Sequence, residues 1–165
     1  MPNYKRVYQP GGYYFFTLVT AQRQAVFRQE RHVALLRKIW RDVAIEHPFE
    51  TIGCCVLPDH IHAVWRLPPD DCDYSGRWQR IKGRFSRQFR SGSVWQKGYW
   101  EHALRSDVEV SNHLDYLHFN PVKHGYVERV VDWPWSSFHR YVRAGLLPLE
   151  WGSLEPSVAN LPVGE

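Results

Sequence analysis

No apolar run in the 165-residue chain approaches the roughly 18 residues that a bilayer span requires, and the first residues lack the charged-then-apolar layout of a secretory signal. No membrane partner is expected, and the expected location is the cytoplasm. Cysteine is scarce: Cys54, Cys55 and Cys72 are an odd number and contain no Cys-x-x-Cys pair. That excludes a simple disulfide framework and suits packing thiols in a reducing compartment. Acid is in deficit, with 17 Asp and Glu against 21 Lys and Arg, a formal charge of +4 and a pI near 9.1, so a polyanionic partner is favoured over a cationic one. Repeats and low-complexity tracts are also missing. A single unit over residues 1–165 is therefore expected, with an N-terminal arm over about residues 1–12 and an irregular tail over about 145–165.

Aromatic residues, in contrast, are abundant: eight Trp and nine Tyr bring the aromatic share to 15% and invite a search for stacking surfaces. The run Tyr13 to Thr20 after Gly11-Gly12 reads as a first strand, too apolar to be an exposed edge. From Glu30 to Glu46, Val33, Leu36, Trp40 and Val43 recur at helical spacing until His47-Pro48 stops them. Phe49 to Leu57 reads as a second strand, and the Pro58-Asp59 turn leads into a third, from His60 to Trp65. A second helix over about Tyr74 to Arg90 puts Trp78, Ile81, Phe85 and Phe89 on one stripe, with Gly92 closing it. Trp95 to Leu104 reads as a fourth strand, and the capping box Ser106 to Glu109 opens a third helix that runs to about Phe119. The order βαββαβ, followed by α, is that of a ferredoxin-like α+β sandwich: an antiparallel sheet with helices on one face, here followed by an extra C-terminal helix and tail.

Two features carry chemistry. His60-Ile61-His62 heads a strand that otherwise reads as buried, and because side chains alternate, both imidazoles leave one face roughly 7 Å apart while Ile61 enters the core. Such a pair can converge on one metal ion, or simply be two packed histidines. The second feature is the set Arg77, Arg80, Lys82, Arg84, Arg87 and Arg90, which falls within a stretch of the second helix that holds no acid. A cationic flank of this kind suits phosphates, and Arg planes can stack on bases; the plainer reading is a solvated face. Asn3, Tyr4, Lys5 and Arg6 form a polar, basic arm that could read base edges.

On the third helix, Val110, Leu114 and Leu117 share the inward side, which leaves Asn112, His113, Tyr116 and Asn120 together on the other. Pro121 disfavours a helical conformation at Asn120, which is expected at the helix end as a capping residue. Taken alone, Tyr116 reads as a surface aromatic.

In combination, His60-Ile61-His62 after Pro58-Asp59, Tyr116 to Gly125 (YLHFNPVKHG) and Trp133 to Tyr141 (WPWSSFHRY) resemble the single-tyrosine HUH transposases, most closely the REP-associated tyrosine transposases, over roughly Tyr13 to Tyr141. The resemblance implies a divalent ion, Mg²⁺ or Mn²⁺, on His60 and His62, with Asn120 as third ligand and Tyr116 as nucleophile. It implies nicking and rejoining of single-stranded DNA beside REP-type hairpins through a 5′-phosphotyrosine, by a protein expected to be a monomer, with a dimer as the alternative. Imidazoles are softer than Mg²⁺ prefers, which favours Mn²⁺. Two other readings stand beside it: a hairpin-binding regulator with an idle site, and a zinc hydrolase built on His60, His62 and His102.

Overall fold

The computed structural model describes residues 6–157 and 161–165. Four strands, β1 (Tyr13–Val19), β2 (Glu50–Val56), β3 (His60–Arg66) and β4 (Trp100–Leu104), form an antiparallel sheet in the order β2-β3-β1-β4. The helices are α1 (Glu30–Glu46), α2 (Tyr74–Phe89), α3 (Asp107–Lys123) and the short α4 (Phe138–Arg143). The chain thus has the expected βαββαβ layout, with β1 central and buried.

Alternation along β1 and β3 divides the core between the two faces of the sheet. Tyr14, Phe16, Leu18, Ile61, Ala63 and Trp65 face α1 and α2. There Trp65 stacks on Trp78 with ring centroids 4.1 Å apart, and Trp40 packs edge-on against both. Phe15 and Val64 face the other way and pack against Tyr116 and Leu117 of α3. The two sandwich helices therefore occupy one face, and α3 covers the other.

Two local features seat α3. Gly53 lies at a register irregularity of β2, and a Cβ there would come within 2.4 Å of Leu114 Cδ2, so the missing side chain is what lets α3 approach the strand. Ser137 Oγ accepts from the Cys54 amide (2.9 Å) and pairs with Nε2 of the buried His118 (2.8 Å), tying α3 to the β2 edge. Residues 135–137 add to that edge through Val56 N to Trp135 O (2.9 Å) and Ser137 N to Cys54 O (2.8 Å), so this segment covers an otherwise open strand as well as leading into α4.

Three boundaries differ from the sequence reading. The fourth strand starts at Trp100 rather than Trp95, because Gly98 takes a left-handed conformation (φ 75°) that breaks the extended run. Arg90, at φ 57°, caps α2 ahead of Gly92. And α3 continues through Asn120 and Pro121 to Lys123: the proline sits in the last turn, where the helix ends soon after and little is lost beyond one backbone bond. Asn120 is accordingly a buried helical residue and not a terminal cap.

Candidate active site

The site lies between the α3 face of the sheet and α3 itself. His60 and His62 are both almost fully buried, their rings 4.9 Å apart, and Ile61 points into the opposite core. Register places Thr17 of β1 opposite His62. The single hydroxyl hydrogen of Thr17 goes to the Val163 carbonyl (2.5 Å), so Thr17 Oγ1 is left to accept from His62 Nδ1 (2.9 Å). Asp59 Oδ1 likewise accepts from His60 Nδ1 (2.7 Å). Each imidazole is held by its δ nitrogen, and both ε nitrogens turn towards α3.

What they meet is a carboxylate. Glu165 Oε1 lies 2.6 Å from His62 Nε2, 3.4 Å from His60 Nε2, 3.3 Å from His124 Nε2 and 2.9 Å from Asn120 Nδ2. Its Oε2 receives Lys123 Nζ at 3.4 Å. Asn120 Oδ1 is 3.3 Å from His60 Nε2, and the Tyr116 ring stands edge-on to His62 at 5.4 Å. Lys123 Nζ donates to the Tyr116 hydroxyl at 2.9 Å. The residues singled out from the sequence on β3 and α3 therefore share one centre. Sequence reasoning missed Glu165, Lys123 and His124; the last two follow Tyr116 at helical spacings of seven and eight, a signal that was available.

Electrostatics sharpen the geometry. Burial pulls the His62 pKa down to about 4 against the opposing pull of Glu165, so this imidazole is neutral at pH 7. Burial also opposes charge on His60, yet its bonds to Glu165 and Asp59 outweigh that and raise its pKa. The Tyr116 phenol is held well above its ordinary value by burial and then by the neighbouring Glu165 carboxylate. Burial works against the charge on Glu165, but the surrounding imidazoles, His60 first, outweigh it and hold the carboxyl well below its ordinary range.

The donor set fits a cation. With Nδ1 committed as a donor to Thr17, neutral His62 turns an electron pair towards Glu165 Oε1, 2.6 Å away. Lone pairs aimed at one another repel unless a proton or metal ion lies among them. Ligand atoms of His60, His124 and Glu165 all fall within 4.8 Å of one another, a spacing compatible with a shared ion. His102 takes no part in this group; it stacks on His113 at 5.6 Å, across from Phe15, which leaves the zinc-hydrolase reading without its third ligand.

The basic helix is less uniform than its sequence. Arg77 is turned inward, and all five of its N–H groups are used, on Asp71 (2.9 and 2.8 Å) and the carbonyls of His47, Pro48 and Asp73. It is a structural clamp and does not belong to an exposed flank. Arg84 pairs with Glu46, and Lys82 donates to the Gly98 carbonyl (3.2 Å). Lys82 and Arg6 both lie against the Tyr99 ring. Arg80 donates to Gly76 O, while Arg87 and Arg90 are exposed, with no ion pair among the described residues. Asn3, Tyr4 and Lys5 lie outside the described residues.

Comparison with known proteins places this arrangement in context. A family model described as "Transposase IS200 like" matches residues 9–118. The chain is 39% identical, over its whole length and 98% of the relative's, to the REP-associated tyrosine transposase of Escherichia coli (strain K12). It is 42% identical, over 92% of its length and 94% of the relative's, to a Haemophilus influenzae protein provisionally given the same name. A solved structure of a REP-associated tyrosine transposase bound to a REP hairpin superimposes with a TM-score of 0.92 at 39% identity, covering all of this chain and 98% of that one.

Proposed function

This chain belongs to the IS200-like transposases, and on that premise we propose that it nicks and rejoins single-stranded DNA beside a REP-type hairpin, with Tyr116 as nucleophile and His60, His62 and Asn120 as metal ligands. The observation that carries the reading is the convergence of His60, His62 and Asn120 on one carboxylate oxygen, Glu165 Oε1, with the Tyr116 hydroxyl joined to the same group through Lys123 Nζ. The hairpin enters from the solved relative, whose complex holds one.

In this reading the Tyr116 hydroxyl gives up its proton and its oxygen attacks phosphorus, a P–O bond to Tyr116 forms, the bond from phosphorus to the 3′ oxygen breaks, and that oxygen takes up a proton and leaves as a 3′-hydroxyl, so that one proton is released and one taken up. The covalent ester keeps the strand in an activated form that a second hydroxyl can attack, which is what rejoining requires. Lys123, at 2.9 Å, favours the phenolate against the burial that disfavours it. Asp59 and Thr17 fix the orientation of the two imidazoles, and neutral His62 is in the protonation state that a ligand needs. A bound Mg²⁺ or Mn²⁺ would supply Lewis-acid neutralisation of the charge gathering on the phosphate oxygens. In this reading Glu165 occupies the place of that phosphate: its carboxylate takes the bonds from Lys123 and Asn120 that an incoming anion would take, and it leaves when DNA enters.

Incubating the protein with an end-labelled hairpin oligonucleotide and Mn²⁺ is the test. A denaturation-resistant adduct is expected, present for the unaltered chain and missing for Tyr116→Phe. An adduct that survives the substitution removes Tyr116 from the chemistry. The second reading, a hairpin-binding regulator with an idle site, is favoured by the burial and raised pKa of Tyr116. Hairpin affinity indifferent to metal, together with no nicking, would select it.

A further inference from the structure

A second basic site lies on the other side of the sheet edge. Between α1 and the segment that covers β2 is a cleft of about 500 Å³, within the size range of small-ligand sites. Trp40 and Trp135 line it, and Arg37, Arg41, Arg140 and Arg143 surround it; no Asp or Glu is among its lining residues. Arg37 and Arg41 come from α1, whereas Arg140 and Arg143 come from α4 some hundred residues later, so the cluster exists only in the folded chain. Among the described residues, no hydrogen bond or ion pair engages the side chains of Arg37, Arg41 or Arg143. Arg140 is anchored by Nη2 on the Thr51 and Ile52 carbonyls and lies against the Tyr141 ring, so it serves as part of the wall. Trp40 is held by a bond from its indole N–H to Thr51 Oγ1 (3.0 Å).

Four guanidinium groups around a cleft whose lining holds no acid favour phosphate, and indole rings in a concave wall favour the flat face of a base. A cleft of this size matches a small ligand such as a single nucleotide. We propose that this cleft binds one unpaired nucleotide of the hairpin DNA, its base against Trp135 and its phosphates on Arg37, Arg41 and Arg143. The inference rests on the hairpin-binding reading above. It also assigns a contact remote in the fold from Tyr116: the cleft opens on the α1 side of the sheet, whereas α3 packs on the opposite side.

The test compares two hairpin oligonucleotides, one fully paired and one with a single unpaired 5-bromodeoxyuridine in its stem, on the full chain. The unpaired nucleotide should tighten binding by about tenfold, the scale of one base–aromatic stack, and should crosslink under ultraviolet light to the peptide containing Trp135. Trp135→Leu should erase the preference. Because Trp135 also packs against the core, the triple variant Arg37→Ala/Arg41→Ala/Arg143→Ala provides an independent arm at exposed positions. Its dependence of log affinity on log salt should be shallower by about 0.7 to 0.9 for each phosphate that the variant no longer neutralises. A triple variant with unchanged salt dependence and unchanged preference would overturn the proposal while leaving hairpin binding intact. An unaltered chain that binds neither hairpin would overturn the parent reading and this one together.

Discussion

Replacing Arg77 with methionine separates a structural clamp from a DNA contact. The substitution keeps an unbranched apolar stem beside α2 but removes all five donors. Three backbone carbonyls, from His47, Pro48 and Asp73, then lose their charged donor, and Asp71 loses its bidentate partner. Breaking a buried ion pair by removing one member costs about 3–5 kcal/mol. Arg77 is 4% exposed but Asp71 is 34% exposed and can rehydrate, so the lower end, about 3 kcal/mol, applies. For a chain of this length that lowers Tm by roughly 6–12 °C. The loss should also depend on pH. Arg77 holds the Asp71 carboxyl below its ordinary pKa against partial burial, so the pair's contribution is complete above the unfolded Asp value of about 4 and disappears as pH falls through the folded one. Thermal melts followed by circular dichroism at pH 7 and at several values below 4 should show the gap between the two proteins closing with acid. A Tm within about 2 °C of the unaltered chain, the smallest shift expected for 1 kcal/mol at this size, combined with a clear fall in hairpin affinity, would refute the reasoning and return Arg77 to the DNA surface.

Other outcomes follow from the same contacts. Thr17→Val removes the acceptor that orients His62, and Mn²⁺ affinity measured by calorimetry should fall about 10- to 100-fold with little change in Tm. Glu165→Gln keeps the shape of the side chain that fills the site and removes its charge, so nicking of a labelled hairpin should speed up severalfold; slower nicking would make the carboxylate a required ligand instead. Gly53→Ala drives a methyl group into Leu114, and an overpacking cost of about 1–3 kcal/mol should appear in urea melts together with weakened metal binding, because the strain falls on the seat of α3.

Much of this arrangement was legible in the sequence because local rules and tertiary structure agree. Strand alternation around Ile61 and helical spacing from Ser106 to Leu117 are short-range signals, and both elements form as expected. The two histidines stood out because a strand buried on both faces has no other use for paired polar groups. Arg77 misled because its partner, Asp71, lies in the loop before the helix, where no helical spacing reveals the contact. Asn120 misled because the rule for residues preceding proline is a preference, and the last turn of α3 overrode it at small cost. Glu165 was invisible: its contact with His62 spans 103 positions, and the tail that carries it has no periodicity. The cleft arginines escaped for a similar reason, since each pair by itself reads as ordinary surface charge.

The carboxylate at the centre of the site has a consequence for every affinity measured on this chain. On the proposed reading, Glu165 competes with DNA as a ligand belonging to the same chain, so it meets the histidines at an effective concentration set by chain geometry and not by dilution. An incoming phosphodiester must displace it, and its apparent dissociation constant is the intrinsic one multiplied by the reciprocal of the fraction of molecules in which the carboxylate has left. On that reading, weak binding at the proposed nicking site and strong binding of a hairpin can coexist in one molecule, with the Glu165 contacts deciding how far the first lags behind the second.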